Sequence, residues 1–334
     1  MSTLTPENLA RAADLLTRLR AELSKAVVGQ SEAVEQILLA LVASGHVLIE
    51  GVPGLGKTLL ARALAKTMQL THARIQFTPD LMPSDITGYA VLDPAARGEN
   101  DAASLGQLRL RRGPVFTHLL LADEINRAPA KTQSALLEVM QEYQVTLEGE
   151  AHPLPRPFMV MATQNPVDTE GTYPLPEAQI DRFLLKIEIG FPSLADETAI
   201  VQRVTGQQIG NQLPLDDIAA VLDERQVQVL QNMVAYVRVD PQVADYAVRL
   251  TRITREWPGL AMGAGSRGAL ALVRLARASA IAEGRDFATP DDVKQHALPV
   301  LRHRVRLSAD AQLDGREVDA LLQAAIDSVE APRL

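Results

Sequence analysis

Residues 51–58 read Gly-Val-Pro-Gly-Leu-Gly-Lys-Thr, the pattern G-x-x-x-x-G-K-[ST]. Glycines at Gly51, Gly54 and Gly56 let successive backbone N–H groups turn toward one point, and the Lys57 ammonium and Thr58 hydroxyl follow directly. The chemistry this suits is phosphate binding. The amides cradle the anion, Lys57 reaches the β and γ groups of a nucleoside triphosphate, and Thr58 can ligate Mg²⁺. An apolar run, Val47-Leu48-Ile49, precedes the loop, and a helical pattern starts near Lys57, so a helix N-terminus adds partial positive charge at the same point. A chance match in a chain of this length is roughly one in a hundred. A glycine-rich turn with an exposed lysine is therefore the weaker reading. Leu55 and Leu59, apolar neighbours within and just after the loop, are counted with the nucleotide-binding residues.

A second constellation supplies carboxylates. His118-Leu119-Leu120-Leu121-Ala122 is an apolar run that ends in Asp123-Glu124. If that strand ends beside the phosphate loop, Asp123 can hold the metal shell with Thr58, and Glu124 can polarise a water for attack on the γ-phosphate. Taken alone, a strand ending in two acids reads equally well as a solvated strand end; the phosphate loop decides between the two. Asn126 and Arg127 precede Pro129 and a new helix, and either could face the nucleotide or a neighbouring subunit.

These groups need a scaffold, and the chain alternates in a way that provides one. Short apolar runs at Val47–Ile49, Arg74–Phe77, Leu119–Leu121, Met159–Met161 and Leu184–Ile187 are separated by longer helical segments. That pattern predicts an α/β fold with a parallel sheet covered on both faces and its ligand edge at the carboxyl ends of the strands. After Phe191-Pro192 the texture becomes helical, with segments Gln226–Val237, Val243–Trp257, Gly268–Ala282 and Pro290–Val300. Asp240-Pro241 and Thr289-Pro290 place capping residues before first-turn prolines. The expected division is residues 1–192 for the nucleotide-binding core and 193–334 for a helical domain.

Composition sets the outer bounds. Of 334 residues, 47% are apolar and 22% charged, ordinary values for a folded soluble chain. There is no cysteine, which removes disulfides, thiolate zinc sites and thiol nucleophiles together. The longest apolar run, Ile37 to Ala43, is too short to span a bilayer, and no signal-like segment opens the chain, so a cytoplasmic location without membrane insertion is expected. The net charge of −8 argues against a large nucleic-acid surface. The six histidines show no zinc-protease spacing and read as structural.

The segments 51–58 and 119–128, together with Phe77–Asp85, Lys131–Glu142, Ala162-Thr163-Gln164-Asn165-Pro166 and Leu175–Phe183, resemble the MoxR family of AAA+ ATPases, relatives of the magnesium chelatase ATPase subunit. The resemblance covers nearly the whole chain. It implies a P-loop core of five parallel strands in the order 5-1-4-3-2, a C-terminal all-α lid, ATP and Mg²⁺ as cofactors, and a homo-oligomer, usually a hexameric ring. Carried onto this sequence, it makes Asn165 the sensor that helps place the attacking water and Arg182 the arginine finger. Arg267, in Gly263–Gly268, becomes the second sensor, although Gly-Ser-Arg replaces the commoner Ser-Pro-Arg and leaves action in cis or in trans open. Val28 and Gly29, in Val27-Val28-Gly29-Gln30, fall where the family lines the adenine, although a plain turn would read the same.

Two interruptions read as hairpins: Tyr89–Asp93 with Gln107–Leu110 around a polar loop, and Tyr143–Leu147 with His152–Pro157 around Glu148-Gly149-Glu150. They match the family's helix-2 insert and the hairpin before its first sensor. They could contact substrate or be ordinary surface hairpins. The resemblance further implies a chaperone-like role on a protein client, in complex maturation or metal-cofactor insertion, often with a von Willebrand factor A domain partner. The competing readings are a nucleic-acid-remodelling motor, an ATP-binding switch with little turnover, and a chelatase-type motor subunit.

Overall fold

The computed structural model describes residues 4–52, 54–93, 107–165, 171–206 and 215–333. Pro53, Pro166 and the polar loop between the first pair of hairpin strands lie outside them. Five parallel strands form the central sheet: β1 (Val47–Glu50), β2 (His72–Gln76), β3 (Leu119–Asp123), β4 (Met159–Gln164) and β5 (Leu185–Glu188). Their spatial order is β5-β1-β4-β3-β2, the expected 5-1-4-3-2. Strand register follows the apolar pattern. Val47, Ile49, Leu119, Leu121, Met159 and Met161 face one buried cluster, while Leu48, Leu120, Ala122, Val160 and Ala162 face another. Both faces are covered, so the three central strands read as continuous apolar runs. β2 is an edge strand paired only with β3, and its exposed positions alternate with buried Ile75.

Helices α1 (Pro6–Ser24), α2 (Ser31–Val42) and α3 (Lys57–Thr67) contribute to the first cluster. Thr5 caps α1 ahead of Pro6 at the first helical position, which tolerates proline because its missing N–H has no intrahelical partner there. On the other face, α4 (Pro83–Thr87) and α5 (Ala130–Glu142) flank a hairpin of Gly88–Asp93 with Gln107–Arg112. The second hairpin pairs Gln144–Leu147 with Glu150–Pro153, tighter than the sequence pattern suggested. Glu148 and Gly149, at φ of 50° and 82°, form the two-residue turn, so Glu150 belongs to the strand. A short helix, α6 (Glu177–Ile180), leads to β5.

Beyond β5 the described residues are helical apart from loops and two small two-stranded pairs. They form α7 (Leu194–Gly206), α8 (Glu224–Tyr236), α9 (Pro241–Ile253), α10 (Ser266–Ala282), α11 (Pro290–Gln295), α12 (Ala297–Leu301), α13 (Ala309–Leu313) and α14 (Val318–Asp327). The single helix expected at Pro290–Val300 is broken at His296. Pro299 has no N–H to continue the ladder, and His296 Nε2 instead meets Ser279 Oγ at 2.6 Å. Helix α10 lies against α1 and α2, and the first core cluster runs without interruption from the sheet into these helices. No helix of the described chain is long and apolar enough to cross a membrane.

Candidate nucleotide site and arginine cavity

Two adjoining cavities lie at the carboxyl end of β1. The polar one, about 340 Å³, is lined by Gly51, Gly54, Leu55, Gly56, Lys57, Thr58 and Leu59, and also by Asp123, Glu124 and Asn165. The strand–loop–helix order makes this convergence possible: β1 ends at Glu50, and α3 begins at Lys57 behind Gly56, which has no side chain to cap the first N–H groups. Gly54 and Gly56 sit at φ of 89° and 75°, a left-handed geometry that other residues adopt at a cost. Lys57 Nζ donates to Gly51 O at 2.6 Å. Burial lowers the Lys57 pKa, and the charges of Asp123, Glu124 and Glu50 oppose that shift.

The two acids are held differently. Asp123 Oδ1 accepts the Thr163 hydroxyl at 2.5 Å, and Oδ2 accepts from Arg74 Nη2 at 2.7 Å. Glu124 has φ of 56°, a left-handed conformation costing a non-glycine residue on the order of 1–2 kcal/mol. Its N–H donates to Thr163 Oγ1 at 2.9 Å, which helps to hold that backbone. Its Oε2 accepts from Gln76 Nε2 at 2.7 Å and pairs with Arg127 Nε at 3.1 Å. Sequence reasoning misses three lining side chains, Arg74, Gln76 and Thr163. The alternation Arg74, Gln76 around Ile75 was the available signal, because i and i+2 on a strand share a face. Arg127, left open from sequence, is a partner of Glu124; Asn126 is buried at 5% exposure, and its carbonyl accepts from Tyr173 N–H at 2.6 Å.

Thr58 and Asp123 offer the hard oxygen donors that Mg²⁺ takes in a phosphate loop. Among the described residues no group of three His, Cys, Asp or Glu side chains could hold a metal. The remaining ligands of such a cation would have to be phosphate oxygens and water. The donor set fits.

The second cavity, about 390 Å³, shares Gly54, Leu55, Gly56 and Leu59 with the first and continues over Val27, Val28, Phe191 and Ile200. Its apolar walls suit a nucleobase. Gln30 donates through Nε2 to Leu55 O at 2.8 Å, tying this wall to the phosphate loop. Gly29 is not part of the lining; it lies under Asp196, whose carboxyl group a Cβ there would strike at 2.9 Å.

Arg182 and Arg267 are in neither of these cavities. They share a third, of about 370 Å³, with Arg274, Arg304 and Asp181. Asp181 pairs with Arg267 at 3.6 Å and with Arg304 at 2.8 Å. Arg304, only 5% exposed, also donates to the main-chain oxygens of Asp181, Phe183, Leu184 and Val300. Arg274 caps the end of α2 through Ala43 O and Ser44 O at 2.6 and 2.8 Å. The Arg182 Nε is buried without a hydrogen-bond partner among the described residues. Four arginines thus share this cavity with one carboxylate, which two of them pair with.

A sheet of this order, a phosphate loop between β1 and α3, and paired acids at the end of β3 together define a P-loop ATPase of the AAA class. Comparison with known proteins agrees. Residues 46–185 match the ATPase family associated with various cellular activities, and residues 252–325 match the AAA lid domain. The chaperone MoxR1 of Mycobacterium tuberculosis is 42% identical over 98% of this chain and 85% of its own. The uncharacterized protein YeaC of Bacillus subtilis is 40% identical over 95% of both chains. A crystal structure from Cytophaga hutchinsonii, of a protein described provisionally as an ATPase, superposes with a TM-score of 0.87 at 37% identity over 98% of both chains. The chain belongs to the MoxR family of AAA+ ATPases and hydrolyses ATP.

Proposed function

We propose that this ATPase works as a homo-oligomeric ring, a hexamer, in which Arg182 and Arg267 of one subunit complete the nucleotide site of the next. The observation that carries this reading is the separation of the two arginines from Lys57 and Glu124 and their grouping in one cavity. An arginine placed there can neutralise charge on a transferring phosphoryl group only if another subunit presents it, which is how an arginine finger acts in trans. Leu270, 64% exposed, adds an apolar contact to the same rim, as an interface needs.

Within one subunit, Lys57 and the loop amides bind the triphosphate, Glu124 orients and polarises the water, and Asn165 steadies its position. Thr58 and Asp123 would hold Mg²⁺, whose chemistry would be to neutralise charge on the triphosphate. The base lies against Val28 and the wall beside Gly29. The core ends near Pro192, and the helical domain carries Arg267 to the interface. The work done is chaperone-like remodelling of a protein client, in complex maturation or cofactor insertion, in the cytoplasm, with a von Willebrand factor A domain protein as partner. The name and 42% identity of the mycobacterial relative support that role.

The test mixes two inactive proteins. ATP turnover is measured for Lys57→Ala alone, Arg182→Ala alone and the two combined, beside the unsubstituted protein. Recovery in the mixture is expected, because intact sites form wherever an Arg182 subunit meets a Lys57 subunit. Continued inactivity, with mixed assemblies demonstrated, overturns the composite site.

A further inference from the structure

Arg74 lines the phosphate cavity, yet nothing proposed above uses it. It stands on the edge strand β2 with its side chain half exposed. Its guanidinium grips one oxygen of Asp123, with Nη2 at 2.7 Å and Nε at 3.2 Å from Oδ2. The other oxygen is committed elsewhere: Oδ1 accepts the Thr163 hydroxyl at 2.5 Å, so turning the carboxylate to offer that face would break a bond to β4. Arg74 Nη2 also reaches Gln76 Oε1 at 2.9 Å, which fixes the guanidinium between the two polar side chains of its strand face.

A divalent cation that takes Asp123 as ligand needs a carboxylate oxygen. Both partners of the carboxylate line the cavity, and Oδ2 is the oxygen whose partner carries a positive charge. Two cations on one oxygen repel, and at separations of a few ångströms that repulsion is large even with solvent screening.

We propose that Arg74 is a positioning residue that competes with the divalent cation for Asp123 Oδ2 and so sets the cation concentration at which the site loads. This rests on the reading of Asp123 as the metal ligand. A plain surface ion pair would leave metal affinity untouched.

The experiment titrates Mn²⁺, as a spectroscopic stand-in for Mg²⁺, into the full-length protein saturated with a non-hydrolysable ATP analogue, and follows bound metal by electron paramagnetic resonance. Arg74→Gln is expected to bind Mn²⁺ about tenfold more tightly than the unsubstituted protein. Arg74→Lys, which keeps the charge and loses the forked grip, is expected to fall between them. Unchanged or weaker Mn²⁺ binding in a folded Arg74→Gln protein overturns the proposal. Should that variant not fold, unchanged affinity in Arg74→Lys overturns it equally. Asp123→Asn separates the two levels. If it binds Mn²⁺ normally, the metal-ligand reading itself fails; if it loses Mn²⁺ while Arg74→Gln binds as before, only the competition fails.

Discussion

Gln76 Nε2, at the end of β2, and Glu124 Oε2, just past the end of β3, are joined at 2.7 Å, and Arg127 Nε closes on the same oxygen at 3.1 Å. The two donors share one oxygen, so the carboxylate position depends on both. Removing Gln76 leaves Arg127 alone to draw Glu124 aside. Gln76→Ala is therefore expected to lower kcat roughly tenfold with little change in KM, because misplacing a base affects chemistry more than binding. A kcat within twofold of the unsubstituted protein would show that Gln76 does not steer Glu124.

Glu124→Gln keeps the size of the side chain and removes its basicity. Turnover is expected to fall about 10²- to 10³-fold, while binding of a fluorescent ATP analogue stays within a few fold. Loss of binding to the same degree would place Glu124 in nucleotide affinity and not in water activation.

Stability in the helical part depends on a buried charge pair. Asp292, 3% exposed, receives Arg285 at 2.7 and 2.9 Å and the Thr289 N–H at 2.7 Å. Asp292→Ala leaves the Thr289 amide without its acceptor and Arg285 with only Glu283 and the Phe287 carbonyl, and the expected cost is about 2 kcal/mol in urea unfolding at neutral pH. A loss below about 1 kcal/mol would mean that water replaces the carboxylate without penalty.

Burial lowers the His46 pKa from its ordinary value of 6.5 to about 4. Its Nδ1 accepts the Val160 N–H and its Nε2 donates to Met140 O, both at 3.0 Å, an arrangement that requires the neutral ring. The unfolded chain binds a proton at this residue between pH 6.5 and 4, whereas the folded chain does not. The stability contribution is complete above pH 6.5 and declines as pH falls toward 4, by on the order of 3 kcal/mol. Burial shifts His303 and His296 in the same direction, so the acid slope is shared. Urea melts from pH 7.5 to 5 are expected to show falling stability, with a flatter slope in His46→Gln despite its lower stability at pH 7.5. An equal slope in that variant would assign the acid sensitivity to the other histidines.

The parts of the site that could be read from sequence are those made by neighbours in the chain. Gly51 to Thr58 announces itself because loop and helix start are contiguous, and Asp123-Glu124 because the apolar run before it is buried on both faces. Arg74 and Gln76 enter the sequence reading only as part of the short run Arg74–Phe77 that predicts a strand. Their connection to the acids comes from the register that sets Gln76 opposite Asp123, an alignment that no local pattern encodes. The company Arg267 keeps was equally hidden, since it depends on how α10 settles on α1 and α2. Phe191, on the base cavity wall, read only as a change of texture before a proline.

Four of the five acceptors around Arg304 are main-chain oxygens. Every residue type presents the same carbonyl, so this anchor is indifferent to which side chains occupy Phe183, Leu184 and Val300, so long as they fill their own spaces. The tolerance is one-sided. Position 304 can be filled only by a side chain with enough donors, spread widely enough, to satisfy all of these oxygens at once, and lysine has too few. Volume-conserving substitutions at Phe183, Leu184 and Val300 should thus be absorbed far more readily than any at Arg304, and random mutagenesis of these positions would find the joint between sheet and lid vulnerable from the lid side.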